Sequence, residues 1–138
     1  MARKINIHKA GGIIIRDRKV LLGRSKGKSL FINPGGKLEQ GETVKQALVC
    51  ELMEEFRIGV SEADLEEFGT FYAPAAGQED SWLRMDVLIV TKWEGDPVVD
   101  HEIEELRWAS SELEPGLKTG SIFEHEVIPR LKAQGLID

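Results

Sequence analysis

The sequence predicts an α/β (α+β) fold in which a mixed β-sheet lies between helices. Apolar runs rich in β-branched residues indicate several strands, and two segments carry the start signals of helices. Strands and helices do not alternate strictly, which favours a mixed sheet over a doubly wound parallel sheet. At 138 residues, the chain is expected to form a single domain over residues 1–138.

The strands are predicted from apolar runs that lie between turn signals. Residues 5–15 give the first strand, with a break or bulge expected at Gly11 and Gly12. A polar turn at residues 16–19 leads to a second strand at 20–22 and then to a basic, flexible loop at 23–29. Further strands are expected at residues 66–73, 82–93 and 105–109, with an exposed loop over residues 74–80.

Two helices are predicted from their caps. Thr43 and Gln46 form a capping-box pattern, and apolar residues at steps of four then make a stripe that packs inward: Val44, Leu48, Leu52 and Phe56. A second capping-box pattern at Ser121 opens a helix that is expected to run to about Gln134. Pro129 should bend that helix, because proline cannot donate a backbone hydrogen bond.

Three glutamates of the first helix, Glu51, Glu54 and Glu55, share one face because residues three and four apart lie side by side. Like charges at this spacing repel each other and destabilise the helix. A cluster of this kind is best explained by a cation that it binds. Hard oxygen ligands suit Mg²⁺ or Mn²⁺, and these ions usually serve phosphate chemistry. The alternative without a bound cation is a solvated acidic face of a surface helix.

Composition narrows the class of protein further. A formal net charge of −6 argues against a nucleic-acid-binding protein, which needs a basic face. The single cysteine, Cys50, forms no internal disulfide, so a reducing cytoplasm is expected, and the chain shows neither a signal peptide nor a membrane span. His8, His101 and His125 are far apart in the sequence, so each is expected to be structural rather than a zinc ligand.

Residues 36–58 resemble the Nudix (MutT-like) hydrolase box, G-x5-E-x7-R-E-U-x-E-E-x-G-U, in which U is a bulky aliphatic residue. Seven of its nine fixed positions match at unbroken spacing: Gly36, Glu42, Glu51, Leu52, Glu54, Glu55 and Ile58. The preceding NPGGKLE segment at residues 33–39 is similar to the family's usual lead-in. A looser resemblance extends from the early strands to residues 104–108, which is most of the chain.

Two residues depart from the box. Cys50 replaces its arginine, which in the family is thought to hold the metal-binding glutamates in place, and Arg57 replaces its glycine. Arg57 lies three residues after Glu54, so it could supply part of the missing positive charge. We therefore expect Arg57→Ala to weaken metal binding; full metal affinity in that variant would contradict the idea. The loss of glycine is also expected to move the helix C-cap.

The resemblance implies an α/β/α sandwich that uses bound Mg²⁺ (or Mn²⁺) to direct water onto a pyrophosphate. It implies that Glu51, Glu54 and Glu55 hold the metal, together with the carbonyl of Gly36, while Glu42 braces the loop. The general base is either one of these box glutamates or an acidic residue beyond the box. The candidates beyond the box are Glu102, Glu104 and Glu105, of which Glu105 is included among the catalytic candidates.

The resemblance also implies a small nucleotide substrate. Arg24 and Lys37 are candidates to contact its phosphates, and Phe31 and Tyr72 are candidates to stack on its base. The chain most resembles the enzymes that cleave nucleoside triphosphates to a monophosphate and pyrophosphate. Pro74 leaves a second function possible, that of an ADP-ribose or nucleotide-sugar pyrophosphatase. The missing box arginine leaves a third, that of a catalytically weak nucleotide-binding module. Pairing into a homodimer is also left open.

Overall fold

The structure, a computed structural model, describes residues 4–74, 81–99 and 102–138, with the backbone alone for residues 4–6. Its strands are β1 Lys4–Ile13, β2 Ile15–Arg16, β3 Lys19–Ser25, β4 Leu30–Ile32, β5 Gly35–Lys37, β6 Leu65–Pro74, β7 Ser81–Val90, β8 Ile103–Ala109 and β9 Lys118–Thr119. Its helices are α1 Val44–Phe56 and α2 Ile128–Ala133, with a 3-10 turn at Glu62–Asp64 and a π-helical turn at Phe123–Val127.

The strands form two mixed sheets. In the first sheet, of order β5-β1-β7-β6, β1 and β7 run parallel and both outer strands are antiparallel to their neighbours. In the second sheet, of order β2-β3-β4-β9, β8 also pairs antiparallel with β3, and β9 runs parallel to β4. In the described part of the chain, no helix is long and apolar enough to cross a membrane.

Helices cover the sheets from two sides. Leu21 of β3 lies in the apolar cluster that contains the inward stripe of α1, whereas Val20 and Leu22 lie in the cluster that contains the C-terminal helical segment. This follows from strand geometry, since successive side chains of a strand point to opposite faces. The mixed sheets between helices therefore confirm the fold class that the sequence predicts.

The break expected at Gly11 and Gly12 is wrong, because β1 is continuous through both residues and its register shift lies near Ile5 and Ile7. The two glycines serve close packing instead. A Cβ added to Gly11 would lie 2.6 Å from Nδ2 of Asn33, and one added to Gly12 would lie 3.0 Å from a methyl carbon of Leu48. A glycine inside a strand marks such close approach as readily as it marks a bulge.

Other boundaries also differ from the prediction. β3 continues through Ser25 into the segment that was expected to be a loop, and Pro74 ends β6 rather than opening a loop. Residues 75–80 and His101 lie outside the described residues. The sequence gives no signal for β4, β5 or β9, which have two or three residues each and depend on their pairing with other strands.

The C-terminal helix begins at Ser121 as expected, but its capping box is absent: the amide of Glu124 donates to the carbonyl of Gly120, at 2.9 Å. The bend expected at Pro129 stays a prediction, and the turn before it, Phe123–Val127, is π-helical, with the amide of Ile128 donating to the carbonyl of Phe123. Because Pro129 has no N–H and crowds the preceding turn, a wider turn relieves the helix there.

A polar network ties the three long strands of the first sheet together. His8 of β1 donates to the Asp86 carboxylate of β7 at 2.5 Å, and the Thr70 hydroxyl of β6 donates to the same carboxylate at 2.5 Å. Burial alone would raise the pKa of Asp86, but the hydrogen bonds from Thr70, His8 and Arg84 outweigh it and hold the pKa below its ordinary value. The ionised carboxylate therefore stabilises the sheet.

We expect Asp86→Asn to lower the free energy of unfolding at pH 7 by about 1–3 kcal/mol, because it removes a partly buried charged acceptor of several hydrogen bonds. The folded-state pKa lies below the unfolded value, so this stabilisation is present above pH 3.8 and is lost as the pH falls through the folded pKa. Urea unfolding at pH 7 and pH 3 measures both effects. Asp96→Asn is the control, since Asp96 is 86% exposed in its pair with Arg16; an equal effect of the two substitutions would contradict the network's role.

Candidate active site

The glycine loop is joined to α1 by the predicted cap. The Thr43 hydroxyl accepts from the amide of Gln46 at 3.1 Å, and the Gln46 side chain accepts from the amide of Thr43 at 3.0 Å, so the capping box is confirmed. The carboxylate of Glu42 accepts from the amide of Glu39 at 2.7 Å. This bond gives Glu42 the role of bracing the loop.

The far end of α1 closes at an arginine in the left-handed conformation, which glycine adopts at the lowest cost. Arg57 is the C-cap with φ 60° and ψ 32°, so the expectation that the C-cap moves is wrong. Its amide bonds to the carbonyl of Met53 at 3.2 Å, and buried Ile58 bonds to the carbonyl of Leu52 at 3.3 Å. These bonds and the burial of Ile58 hold Arg57 in a conformation that costs about 1–2 kcal/mol for a side-chain-bearing residue. The effect of Arg57 on metal binding stays a prediction, and Cys50 is an exposed free thiol.

Two glycines of β5 let the backbone pass between β1 and α1. Gly35 has φ 145°, and a Cβ there would lie 2.0 Å from the carbonyl oxygen of Ala10. A Cβ on Gly36 would lie 2.8 Å from a carboxylate oxygen of Glu51. The loop backbone therefore passes directly beside the Glu51 side chain, and a Cβ on Gly36 would displace that carboxylate.

A cavity of about 130 Å³ opens at this point, and acidic side chains from two parts of the chain line it. Glu51 and Glu55 reach it from α1, and Glu102 reaches it from the residue before β8. Gly35 and Asn33 form part of its wall. Glu54 is exposed and does not line this carboxylate cavity, so the structure brings together two of the three glutamates expected to hold the metal with one acid from beyond the box.

The electrostatics of the carboxylate cavity favour a cation. Partial burial raises the pKa of Glu51 to about 6, and the negative charges of Glu55, Glu54, Glu42 and Glu39 add to the shift. Among the described residues, the acidic groups do not converge into a ready-made cage of three metal ligands. Mg²⁺ does not need one, because it is commonly held by one or two carboxylates, waters and substrate phosphates. The donor set and its excess negative charge therefore fit a divalent cation.

Glu105 lies in a different environment from Glu102. Its carboxylate accepts from Arg107 at 2.5 Å and from Arg24 at 3.4 Å, and Arg24 also pairs with Glu104 at 3.3 Å. The bond from Arg107 and then that from Arg24 lower the pKa of Glu105 despite slight desolvation. The structure thus places Glu105 in an ion-pair ladder between β3 and β8, and it does not place it in the carboxylate cavity.

The residues predicted to contact the substrate also lie in different environments. Phe31 is only 8% exposed and belongs to the core, with the guanidinium groups of Arg24 and Arg107 each 5.9 Å from its ring centre. The interpretation that Phe31 stacks on a base is therefore wrong, because β4 turns its ring into the core. Tyr72 is 51% exposed on β6 and lines neither the carboxylate cavity nor the larger cavity described below. Lys37 is exposed on β5, beside Gly36.

A second, larger cavity of about 470 Å³ adjoins the carboxylate cavity, and we call it the apolar cavity. The two cavities share Ile32, Asn33 and Gly35 in their walls. Apolar residues of β1, β4, β6 and β7 contribute to its lining, and the start of the C-terminal helical segment, residues 120–123, also lines it. Lys9 and Lys37 supply its cations. The sequence could not reveal this cavity, because its walls meet only through the pairing of distant strands.

The apolar cavity has the size and lining of a small-molecule site, and the acidic cavity beside it suits a cation that binds phosphate. This arrangement suits a small molecule that carries phosphate, with a divalent cation beside it. Residues 6–131 match the NUDIX domain family, and the chain therefore belongs to that family. It is a Nudix hydrolase, an enzyme class that acts on small nucleotide substrates and generally uses divalent cations.

Individual relatives agree with this assignment. The chain is 26% identical over 125 residues to the uncharacterized Nudix hydrolase YvcI of Bacillus subtilis (strain 168), covering 91% of this chain and 79% of that protein. It is 32% identical over 101 residues to an 8-oxo-dGTP diphosphatase of Proteus vulgaris, covering 70% and 86%. The solution structure of the E. coli ORF135 protein superposes with a TM-score of 0.75 at 27% identity, covering 96% of this chain and 94% of that chain.

Proposed function

We propose that this chain uses Mg²⁺ to hydrolyse a nucleoside or deoxynucleoside triphosphate to the monophosphate and pyrophosphate, in a reducing cytoplasm where Cys50 stays a thiol. The observation that carries the proposal is the junction of the two cavities at Asn33 and Gly35. A nucleoside in the apolar cavity directs its phosphates past Gly35 to the carboxylates. The 8-oxo-dGTP diphosphatase named among the relatives supports a triphosphate substrate.

Glu51 and Glu55 would hold the cation, with Glu54 and the Gly36 carbonyl as further ligands. A divalent cation bound there neutralises phosphate charge and lowers the pKa of a bound water. Attack of water on the α- or β-phosphorus would form one P–O bond and break the bond from that phosphorus to the α,β-bridging oxygen, while a carboxylate takes the proton of the water; attack at the α-phosphorus expels pyrophosphate, and attack at the β-phosphorus expels the monophosphate. Positioning and neutralisation dominate such reactions, so the protein mainly holds the substrate between the two cavities.

Glu102 is the candidate general base, because it reaches the carboxylate cavity while Glu105 is held by two arginines. A carboxylate at the mouth of the cavity can accept the proton of the attacking water within hydrogen-bond reach. The paired Glu105 carboxylate instead joins β3 to β8.

This assignment gives a matched pair of variants. We expect Glu102→Gln to lower kcat by about 100-fold or more, as the loss of a general base does. Glu105→Gln should change kcat by no more than about threefold, since exposed ion pairs contribute little. Steady-state hydrolysis of the preferred triphosphate measures both. Equal losses of kcat, or a larger loss for Glu105→Gln, would show that the general base is Glu105 or a glutamate of the box instead.

A panel of substrates tests the proposed function directly. The purified protein is incubated with Mg²⁺ and NTPs, dNTPs, ADP-ribose, dinucleoside polyphosphates or nucleotide sugars, and the products are separated by ion-exchange chromatography. Release of a monophosphate and pyrophosphate from one or a few triphosphates is the expected result, and a chelator should abolish it.

Two other outcomes would replace the proposal. Preferred cleavage of ADP-ribose or a nucleotide sugar would favour the second candidate, which Pro74 keeps open because it lines the apolar cavity. No turnover, with Mg²⁺ and nucleotides still bound, would indicate a binding module in which Cys50 has replaced a needed arginine.

A further inference from the structure

Lys9 projects into the apolar cavity, away from the carboxylates. Its neighbour Ala10 belongs to the apolar cluster around α1. Ile13 lies four residues after Lys9 and therefore on the same face of β1, and it belongs to the cluster on the opposite side of the sheet. Because side chains alternate along a strand, Lys9 lies on the face turned from α1 and its glutamates. It lines the apolar cavity together with Met85, its partner in the register of β1 and β7, and with the preceding pair, Ile7 and Leu83.

Lys9 stands beside a second lysine, and no ion pair joins it to an acidic side chain among the described residues. In the register of β1 with β5, Lys9 lies directly opposite Lys37, and both line the apolar cavity. Burial lowers the pKa of Lys9, and the charge of Lys37 adds to the shift. No acidic side chain is among the described residues that line this cavity. Like charges opposite each other on paired strands, partly withdrawn from water, destabilise the empty protein.

The two lysines face different chemistry. Lys37 is exposed at the strand edge next to Gly36, whose backbone lies beside the Glu51 side chain, so it suits the phosphate end of a ligand. Lys9 lies one strand further in, opposite Met85 on its other side, and the preceding pair on the same face is Ile7 and Leu83. Apolar walls of this kind suit the flat faces of a nucleobase rather than a phosphate.

A lysine offers three hydrogen-bond donors and no acceptor. It therefore discriminates between bases by the group that they present at the equivalent edge: an oxo acceptor in guanine, uracil and thymine, or an amino donor in adenine and cytosine. We propose that Lys9 is a specificity-determining residue that donates to the oxo group of the substrate's base, so that oxo bases are preferred over amino bases. This inference rests on the proposed hydrolysis of nucleoside triphosphates.

Lys9→Met tests the inference, because methionine keeps most of the apolar stem and removes the donors. The measurement is kcat/KM with Mg²⁺ for GTP against ATP and for UTP against CTP, two pairs that are matched in size. We expect the native protein to prefer the oxo member of each pair. The variant should lose about tenfold or more on GTP and UTP, as for a lost hydrogen bond from a charged donor, and change by less than about threefold on ATP and CTP.

Lys132→Met is the control, since Lys132 is exposed on α2 and its replacement changes the net charge equally. Thermal unfolding of both variants checks that they fold. A uniform loss on all four triphosphates would make Lys9 a phosphate contact, and no loss would make it a solvated cation at the rim of the cavity. Either result overturns the proposal.

A binding measurement separates this proposal from the proposed function. Calorimetric titration of GMP, AMP, UMP and CMP gives dissociation constants without requiring turnover. If the native protein hydrolyses no triphosphate, the proposed function fails, and the role of Lys9 is then decided by binding alone. A preference for GMP and UMP that Lys9→Met abolishes would support that role, and equal binding of all four monophosphates by the native protein would overturn it.

Discussion

Glu51→Gln is expected to lower kcat/KM by about 100-fold or more while leaving the fold at least as stable. Glutamine has the shape of glutamate without its charge, so the variant loses a ligand for the cation but fills the same space beside Gly36. The loss of several kcal/mol of transition-state stabilisation accounts for a factor of this size. Steady-state hydrolysis of the preferred nucleotide measures it.

The stability of the same variant distinguishes a catalytic role from a structural one. The folded-state pKa of Glu51, about 6, lies above its ordinary value of 4.5, so ionisation of Glu51 opposes folding. The favourable state, protonated Glu51, is fully present below pH 4.5 and is lost as the pH rises through about 6. At pH 7 without metal, Glu51→Gln should therefore raise the free energy of unfolding, by no more than about 1 kcal/mol once solvent screening is allowed for.

Glu66→Gln is the matched control, because Glu66 is exposed on β6, outside both cavities. It should leave both activity and stability close to those of the native protein. If Glu51→Gln lost activity and stability together, Glu51 would be structural. If it kept activity within about tenfold, the reaction would have to occur without this carboxylate.

The features of the site that the sequence predicts correctly are those whose signals lie within one or two helical turns. The cap of α1 depends on Thr43 and Gln46, three residues apart, and the burial of Leu48, Leu52 and Phe56 depends on their spacing along one helix. No distant strand is needed for either. The fold class follows in the same way, because it needs the kinds and order of the elements rather than their register.

The features that could not be predicted depend on strand register. Arg24 pairs with Glu105 in the register of β3 and β8, but the next residue, Ser25, pairs with Ile103, so the ladder is irregular just before Glu102. The amide of Lys26 then donates to the carbonyl of Glu102 at 2.7 Å. Three nearby glutamates look alike in the sequence, and the register decides which one reaches the carboxylate cavity.

Phe31 and Lys9 show that residue type alone does not predict whether a strand side chain is buried. An aromatic residue in a short segment suggests a stacking platform, yet the pairing of β4 with β3 and β9 buries it. A lysine within a strand suggests a solvated side chain, yet the pairing of β1 with β5 and β7 places it in the apolar cavity. In both cases the face of the strand, rather than the residue type, determines the environment.

Gly35→Ala is expected to lower the free energy of unfolding by about 3 kcal/mol or more, because strain at a glycine-only conformation and overpacking act together. At φ 145° a side-chain-bearing residue is strained, and its Cβ would lie 2.0 Å from the carbonyl oxygen of Ala10, part of the rigid backbone of β1. β5 would have to leave β1, and the wall that the two cavities share would be lost with it. Urea unfolding measures the change.

Gly36→Ala should behave differently although it is the adjacent residue. Its Cβ would meet the end of the Glu51 side chain at 2.8 Å, and a flexible carboxylate can rotate away at a cost of about 1 kcal/mol. The fold should survive while kcat/KM falls as in Glu51→Gln, because the carboxylate leaves the cavity. Gly59→Ala is the control for both, since a Cβ there meets Met53 and Glu94 only at ordinary contact distances of 3.7 and 4.0 Å. Native stability in Gly35→Ala would contradict the close approach of β5 and β1, and native activity in Gly36→Ala would show that catalysis does not need Glu51 in its place beside the glycine loop.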